Sequence, residues 1–381
     1  MIYLDNASTT KVDESVKELI DKYLYENYGN AGSIHSFGAE SKQALNKARS
    51  QVASAVLTSP ENIIFTSGGS ESNTLAIVGL ANYLKKCDYN HIITTKYEHH
   101  SVLNAMKEME RLGFEVTYLD VLNGVVQYKD FVASVREDTG LTSIMYINNE
   151  LGTKNDIKTI YEFCKQRGIL FHSDCVQATD TENIKLGEIA DMISISGHKL
   201  HAPKGVGCLC TLHKYCLSNI IFGGQQEFGI RPSTENIANI VAFGQIMENL
   251  SQNKNKISAK INLISQSFKE KLFRLCDENN IELEYTISPE RSTSKICSVR
   301  FKDIDAETLT LMLGERGVCI SAGAACSSNS SEPSHVLKAI GLTDEQARST
   351  IRISFSDYNA VDEACCAAEI IVDCIKILKM I

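Results

Sequence analysis

Met192-Ile-Ser-Ile-Ser-Gly-His-Lys199, followed by Leu-His-Ala-Pro-Lys-Gly-Val-Gly, decides the reading of this chain. A β-branched apolar run ending in Ser-Gly reads as a buried strand entering a tight turn. The turn delivers His198 and Lys199 to the strand's C-terminal end, the edge at which open α/β sheets place their ligands. A lysine at a buried strand end is costly unless its amine is paired or chemically converted.

Outward from that strand, short β-rich runs alternate with helical patterns. The candidate strands are Asn62–Thr66, His91–Thr95, Glu115–Leu119, Ser143–Ile147, Leu170–Asp174, Met192–Ser196 and Val206–Leu212. Amphipathic stretches lie between them at Ser70–Leu84, Ser101–Arg111 and Ile157–Lys165. This alternation predicts an α/β fold with a mainly parallel seven-stranded sheet and helices on both faces. From Asn236 to Cys276 the pattern turns helical and polar, as a long connecting helix or helix pair would. Strands expected at Lys295–Phe301, Val318–Ser321 and Thr350–Ser354 then mix with helices at Ala306–Arg316, Ser334–Ile340 and Asp362–Lys379. They predict a smaller α+β domain. The expected division is a large domain of residues 13–250 and a small domain of residues 1–12 and 251–381.

A length of 381 residues suffices for two domains, and a formal net charge of -9 argues against a general nucleic-acid or anionic-membrane binder. No apolar run reaches the length of a membrane span. The N-terminus lacks the basic region of a signal peptide, so a cytoplasmic protein is expected. The 13 cysteines show no framework spacing and read as reduced thiols. Cys208 and Cys210 would share one face of a strand. They lack knuckle spacing and a second ligand pair, so no metal site is expected.

Several polar groups gather at the ligand-facing strand ends. Ile63-Ile-Phe-Thr-Ser-Gly-Gly-Ser-Glu-Ser-Asn-Thr reads as strand, turn and helix start. Gly68 and Gly69 allow close approach there, Ser70 can cap, and the free N–H groups suit an anion such as a phosphate. It is neither a Walker loop nor a dinucleotide fingerprint. Asp174 ends another strand, where a poorly solvated carboxylate seeks a cation or caps a helix. His99 and His100 follow the strand His91–Thr95, and Asn148-Asn149-Glu150 the strand Ser143–Ile147. A phosphate cradle, a carboxylate for a protonated pyridine nitrogen and a lysine able to form a Schiff base together suit pyridoxal phosphate. Cys326 stands apart, in Ser321-Ala-Gly-Ala-Ala-Cys-Ser-Ser-Asn-Ser-Ser-Glu-Pro-Ser-His. With no apolar bulk to bury it, this thiol is expected to be exposed, mobile and used as a nucleophile.

As a set, these residues resemble the cysteine desulfurases of the NifS/IscS type, within the class V aminotransferase group of fold-type I pyridoxal phosphate enzymes. The motifs run nearly end to end. They are Tyr3-Leu-Asp-Asn-Ala-Ser-Thr-Thr, Tyr28-Gly-Asn, Ser33-Ile-His-Ser-Phe-Gly, Thr66-Ser-Gly-Gly-Ser-Glu-Ser-Asn, Glu98-His and Asn148-Asn-Glu-Leu-Gly-Thr. Asp174-Cys-Val-Gln, Ser194-Ile-Ser-Gly-His-Lys, Gly223-Gly, Arg231-Pro-Ser-Thr-Glu-Asn and Ile351-Arg-Ile-Ser complete them. The chain departs from common family forms at Gly223-Gly-Gln-Gln-Glu, at Arg231-Pro-Ser-Thr and at Ala322-Gly-Ala-Ala-Cys326.

The resemblance implies that Lys199 holds pyridoxal phosphate, Asp174 pairs its ring nitrogen and His99 stacks on the ring. Gln177 and Asn149 would contact the ring oxygen and its surroundings, and Gly69, Ser70, Ser196 and His198 the phosphate. Thr234 would reach the phosphate of the partner subunit, which implies a homodimer. Arg352, with Asn149, would hold the carboxylate end of L-cysteine, and Cys326 would accept its sulfur. Cys326, Lys199 and His99 are thus the expected catalytic residues. A sulfur-acceptor protein is implied, either an iron–sulfur scaffold or a tRNA-thiolation enzyme. Two alternatives stay open: a selenocysteine lyase or other β-eliminating enzyme of the same fold, and a non-catalytic thiol or metal carrier.

Overall fold

A computed structural model describes residues 1–323 and 332–380. Its large sheet comprises β1 (Ile63–Thr66), β2 (His91–Thr95), β3 (Glu115–Leu119), β4 (Thr139–Ser143), β5 (Leu170–Asp174), β6 (Met192–Ser196) and β7 (Gly207–Thr211). Across the sheet they run β1-β7-β6-β5-β4-β2-β3. β7 is antiparallel to both neighbours and every other pair is parallel. Side chains alternate faces along each strand. Ile63, Phe65, Ile193 and Ile195 join the core beneath Ser36–Ala55 and Ile157–Arg167. Ile64, Met192 and Leu209 join the core beneath Gly69–Ile77 and His100–Arg111. Helices therefore cover both faces, as the alternation of elements requires.

The smaller sheet comprises β8 (Leu283–Tyr285), β9 (Ile296–Phe301), β10 (Ser321–Ala322) and β11 (Thr350–Ser354), in the antiparallel order β8-β9-β11-β10. It packs on Ala306–Glu315 and Val361–Leu378 around a separate core containing Leu4, Phe268, Phe301 and Ile371. One continuous helix, Ile237–Glu278, joins the two cores: Phe243 and Met247 enter the first, Ile264 and Leu272 the second. The chain begins beside the small sheet, where Ile2–Tyr3 pairs in parallel with Val318–Cys319. It then crosses to the large sheet, where Thr10 N donates to His198 O and Asp13 N to His201 O. Among the described residues no helix is long and apolar enough to cross a membrane.

Three local expectations differ from the structure. The strand expected at Ser143–Ile147 lies at Thr139–Ser143, with Gly140 inside it. A Cβ at Gly140 would meet the Tyr89 Cβ at 2.5 Å, so this glycine marks a close approach rather than a turn. The helix expected over Ser70–Leu84 divides into Gly69–Ile77 and Ala81–Lys86, separated by a 3₁₀ turn at Val78–Leu80. Gly79, within that turn, packs closely on Ser218 O. The strand expected at Val318–Ser321 is two short strands with different partners, Ile2–Tyr3 and β11.

Candidate active site

A cavity of about 220 Å³ opens where β1, β2, β4, β5 and β6 end, and residues following each of these strands line it. Lys199 sits in the 3₁₀ turn Gly197–Lys199 that ends β6. Its Nζ donates to the Ala7 carbonyl at 2.6 Å and also to the Ser8 carbonyl. The crossing N-terminal segment thus holds the amine through main-chain oxygens. Gln177 Nε2 donates to the same Ala7 oxygen at 3.0 Å.

Asp174, the last residue of β5, is buried and lines the cavity. Its Oδ1 accepts from the Val176 N–H at 2.9 Å and its Oδ2 from Asn73 Nδ2 at 2.7 Å. His99 caps the helix His100–Arg111, its Nδ1 accepting from the Ser101 N–H at 3.1 Å. An accepting Nδ1 leaves the ring hydrogen on Nε2. His198 lies 3.2 Å from Thr9 Oγ1, and burial, reinforced by the charges of Lys199 and Lys204, pushes its pKa down to about 4. It is neutral near pH 7.

Gly68, at φ +153, is the N-cap of Gly69–Ile77, with no side-chain cap; the expected capping by Ser70 is replaced by this glycine. The bare first turn leaves N–H groups without intrahelical partners. Gly69 and Ser70 line the cavity there. Four buried atoms of other lining residues have no partner among the described residues: Ser196 Oγ, Gln177 Oε1, Asn73 Oδ1 and Arg352 Nε. Buried polar atoms of this kind call for a polar ligand. A helix N-terminus and a serine for phosphate, a carboxylate for a ring nitrogen, an amide for a ring oxygen, an imidazole for the ring face and a lysine amine fit pyridoxal phosphate.

Arg352, on β11, reaches the cavity from the small sheet. Its amino groups contact Asp5 Oδ1 at 2.9 Å and the Asn149 carbonyl at 3.0 Å. The structure therefore brings Lys199, Asp174, Gln177, Asn149, His99, Gly69, Ser70, Ser196, His198 and Arg352 onto one cavity. Thr234 is exposed and is not among the lining residues. Cys326 lies outside the described residues.

The sequence assigns no role to Ala7, Ser8, Asn73 or His335, all of which line the cavity, and Glu150, expected at the ligand-facing edge, lines it too. Asn73 was within reach: it stands one turn beyond Gly69 and closes a quoted motif. Nearby, burial pushes the Glu98 carboxyl up to about 8, so it holds a proton at neutral pH. Cys208 and Cys210 face each other within β7, sulfurs 3.7 Å apart and fully buried.

The class-V aminotransferase family matches residues 2–364. A putative cysteine desulfurase, IscS 1, of Bacillus subtilis is 38% identical over 382 residues, 98% of each chain. A cysteine desulfurase IscS of Clostridium botulinum is 38% identical over 379 residues, 98% of this chain and 94% of the relative. Among solved structures, a NifS-like protein superposes with a TM-score of 0.91 at 32% identity, covering 100% of both chains. SspA in complex with cysteine superposes at 0.82 with 33% identity, covering 94% of this chain and 100% of that one. Pyridoxal phosphate is the cofactor of this family, and the cavity carries the groups that would hold it. By fold, motif order and site chemistry, the chain belongs to the class-V aminotransferase family.

Proposed function

We propose that the chain is a cysteine desulfurase that takes sulfur from L-cysteine, releases L-alanine and passes the sulfur through an enzyme cysteine to an acceptor. The carrying observation is that Lys199, Asp174, His99 and Arg352 line one cavity. The desulfurase names of the 38% identical relatives and the cysteine complex of SspA support the choice of substrate.

When bound, pyridoxal phosphate supplies an electron sink. Asp174, fixed at both oxygens, keeps a proton at the ring nitrogen. Gly69, Ser70, Ser196 and His198 bind the phosphate, Gln177 and Asn149 the ring oxygen and its surroundings, and His99 faces the ring. The Lys199 amine holds the cofactor and moves the proton at the substrate Cα. Arg352 and Asn149 bind the substrate's carboxylate end, for which a planar guanidinium is well suited. Cys326 accepts the sulfur: its S–S bond forms as the substrate C–S bond breaks, and that pair of electrons stays with carbon.

A homodimer is part of this reading, with Thr234 reaching the phosphate of the partner subunit; its exposure, away from its own cavity, supports this. So are a cytoplasmic setting and delivery to an iron–sulfur scaffold or tRNA-thiolation enzyme. The division into residues 13–250 and residues 1–12 with 251–381 belongs to the same proposal, and the two separate cores support it.

The test is to incubate the cofactor-loaded protein with L-cysteine and measure alanine and sulfane sulfur, expected in equal amounts. Turnover of selenocysteine but not cysteine would overturn the reading in favour of a lyase. A purified protein that takes up no pyridoxal phosphate would point to a carrier.

A further inference from the structure

Arg352 is deeply buried, its side chain 3% exposed, and an arginine there needs a fixed partner. Asp5 supplies it from the N-terminal segment, with its side chain 16% exposed. The contact is part of a closed cluster. Asp5 Oδ1 accepts from Arg352 Nη2 at 2.9 Å, from Ser8 Oγ at 2.8 Å and from Ser321 Oγ at 2.8 Å. The same Nη2 lies 2.6 Å from Ser8 Oγ and 3.1 Å from Ser321 Oγ. Nη1 is held separately, 3.0 Å from the Asn149 carbonyl.

Both terminal nitrogens of the guanidinium are therefore pinned, by the N-terminal segment, by β10 and by the turn after β4. Asp5 is itself fixed on β11 by a parallel bridge to Ser354, and Asn6 Nδ2 donates to the Ser354 carbonyl at 2.9 Å. Asp5 does not line the cavity, whereas Arg352 and Ser8 do. Its effect on a ligand must act through the groups it holds, of which Arg352 carries the charge.

We propose that Asp5 is a positioning residue: it sets the plane of the Arg352 guanidinium before an amino acid arrives, so that the carboxylate meets a preorganised fork. The proposal rests on the reading of Arg352 as the substrate-carboxylate site. Preorganisation raises affinity because side-chain freedom is not lost at the moment of binding. A planar donor also loses more by misorientation than a point charge does. Aspartate oxygens accept the three hydrogen bonds, and asparagine retains an acceptor at Oδ1 without the charge. The conservative variant therefore separates orientation from electrostatic neutralisation.

The experiment is calorimetric titration of the cofactor-loaded protein with L-alanine, which carries the carboxylate and amine, and with ethylamine, which lacks the carboxylate. Asp5→Ala is expected to lose about tenfold or more of the preference for alanine, and Asp5→Asn to recover it to within about threefold of wild type. KM for cysteine should follow alanine affinity while kcat changes much less. Undiminished preference in Asp5→Ala overturns the proposal, as does an equal loss in Asp5→Asn, which would assign the effect to charge. Should Asp5→Ala not fold, Asp5→Glu, which keeps the charge but moves the acceptor, takes its place: a lost preference for alanine supports the proposal, and an undiminished one overturns it. Alanine binding is read without turnover. Protein that binds alanine through Arg352 but makes none from cysteine sinks the desulfurase reading alone.

Discussion

The Asn73 side-chain amide donates to Asp174 Oδ2 at 2.7 Å and to Ser101 Oγ at 2.9 Å. Having accepted that hydrogen bond, the Ser101 hydroxyl turns its own hydrogen to His99 Nδ1, 2.8 Å away. One asparagine on the helix Gly69–Ile77 thereby links the carboxylate proposed for the ring nitrogen to the imidazole proposed for the ring face. Asp174 and His99 arrive from different strands, and neither could fix the other's rotamer alone. Their common tether is on the helix whose N-terminus is proposed to bind the phosphate.

Asp174→Asn keeps size and most hydrogen-bonding capacity but removes the charge. The cavity should keep its shape and still take up cofactor, while kcat falls on the order of a hundredfold or more with little change in KM. Steady-state kinetics on cysteine decide it. Unchanged kcat would reduce Asp174 to a turn former for the Val176 N–H.

Lys199→Ala removes the amine that the Ala7 and Ser8 carbonyls now hold. Turnover should fall by at least about a thousandfold, since one group both carries the cofactor and moves the Cα proton. The visible absorption of lysine-bound pyridoxal phosphate should vanish with it. Retention of that band would exclude Lys199 as the attachment point.

Cys326→Ser should divide the reaction. Cofactor uptake and cysteine binding are expected to persist, whereas alanine formation and the gain of one sulfur on the peptide containing residue 326 should be lost. Serine has no thiolate and cannot form the S–S bond. Peptide mass spectrometry reads the outcome. A sulfur gain on Cys319 with activity retained would reassign the acceptor.

The strand that ends at Asp174 and the strand that leads through Ser196 to Lys199 are legible because an apolar run gives way to polar and charged residues in each, and both strands have the expected bounds. β4 starts earlier than expected, taking in Gly140, which the sequence does not mark as a strand residue and which Tyr89 packs against. The N-terminal segment shows a different limit. Ala7 and Ser8 hold Lys199 through carbonyl oxygens, which every residue possesses, so residue identity could not announce the contact. Nor does Asp5 look like an arginine's partner across 347 residues of chain. Such pairs appear only once two sheets meet around a cavity.

Gly207, the first residue of β7, is a further site where backbone geometry governs. A Cβ there would meet the Ile195 carbonyl at 2.5 Å and the Gly68 Cα at 2.8 Å, both main-chain atoms with little room to move. Gly207→Ala should therefore cost about 1–3 kcal/mol by overpacking. It should also push Gly68 away from Ser196 and weaken cofactor retention. Denaturant unfolding and dialysis of the loaded protein test the two effects. An alanine variant as stable as wild type would show that β1 and β7 can separate at no cost.

Acid should destabilise the fold through His172, which lies inside β5 between Ser143 Oγ at 2.8 Å and Ser194 Oγ at 2.9 Å. Complete burial pushes its pKa down to about 3, so the folded chain keeps it neutral while an unfolded chain protonates it below the usual 6.5. Between those values the unfolded state binds more protons, and stability rises with pH. The contribution is fully present above 6.5 and is lost as pH falls toward 3, by about 1.4 kcal/mol for each unit. His198, held near 4, acts in the same direction over a narrower window. Urea unfolding at pH 6.5, 5.5 and 4.5 should show this slope in the wild type and a shallower one in His172→Gln. Equal slopes in the two proteins would place the acid sensitivity elsewhere than at His172.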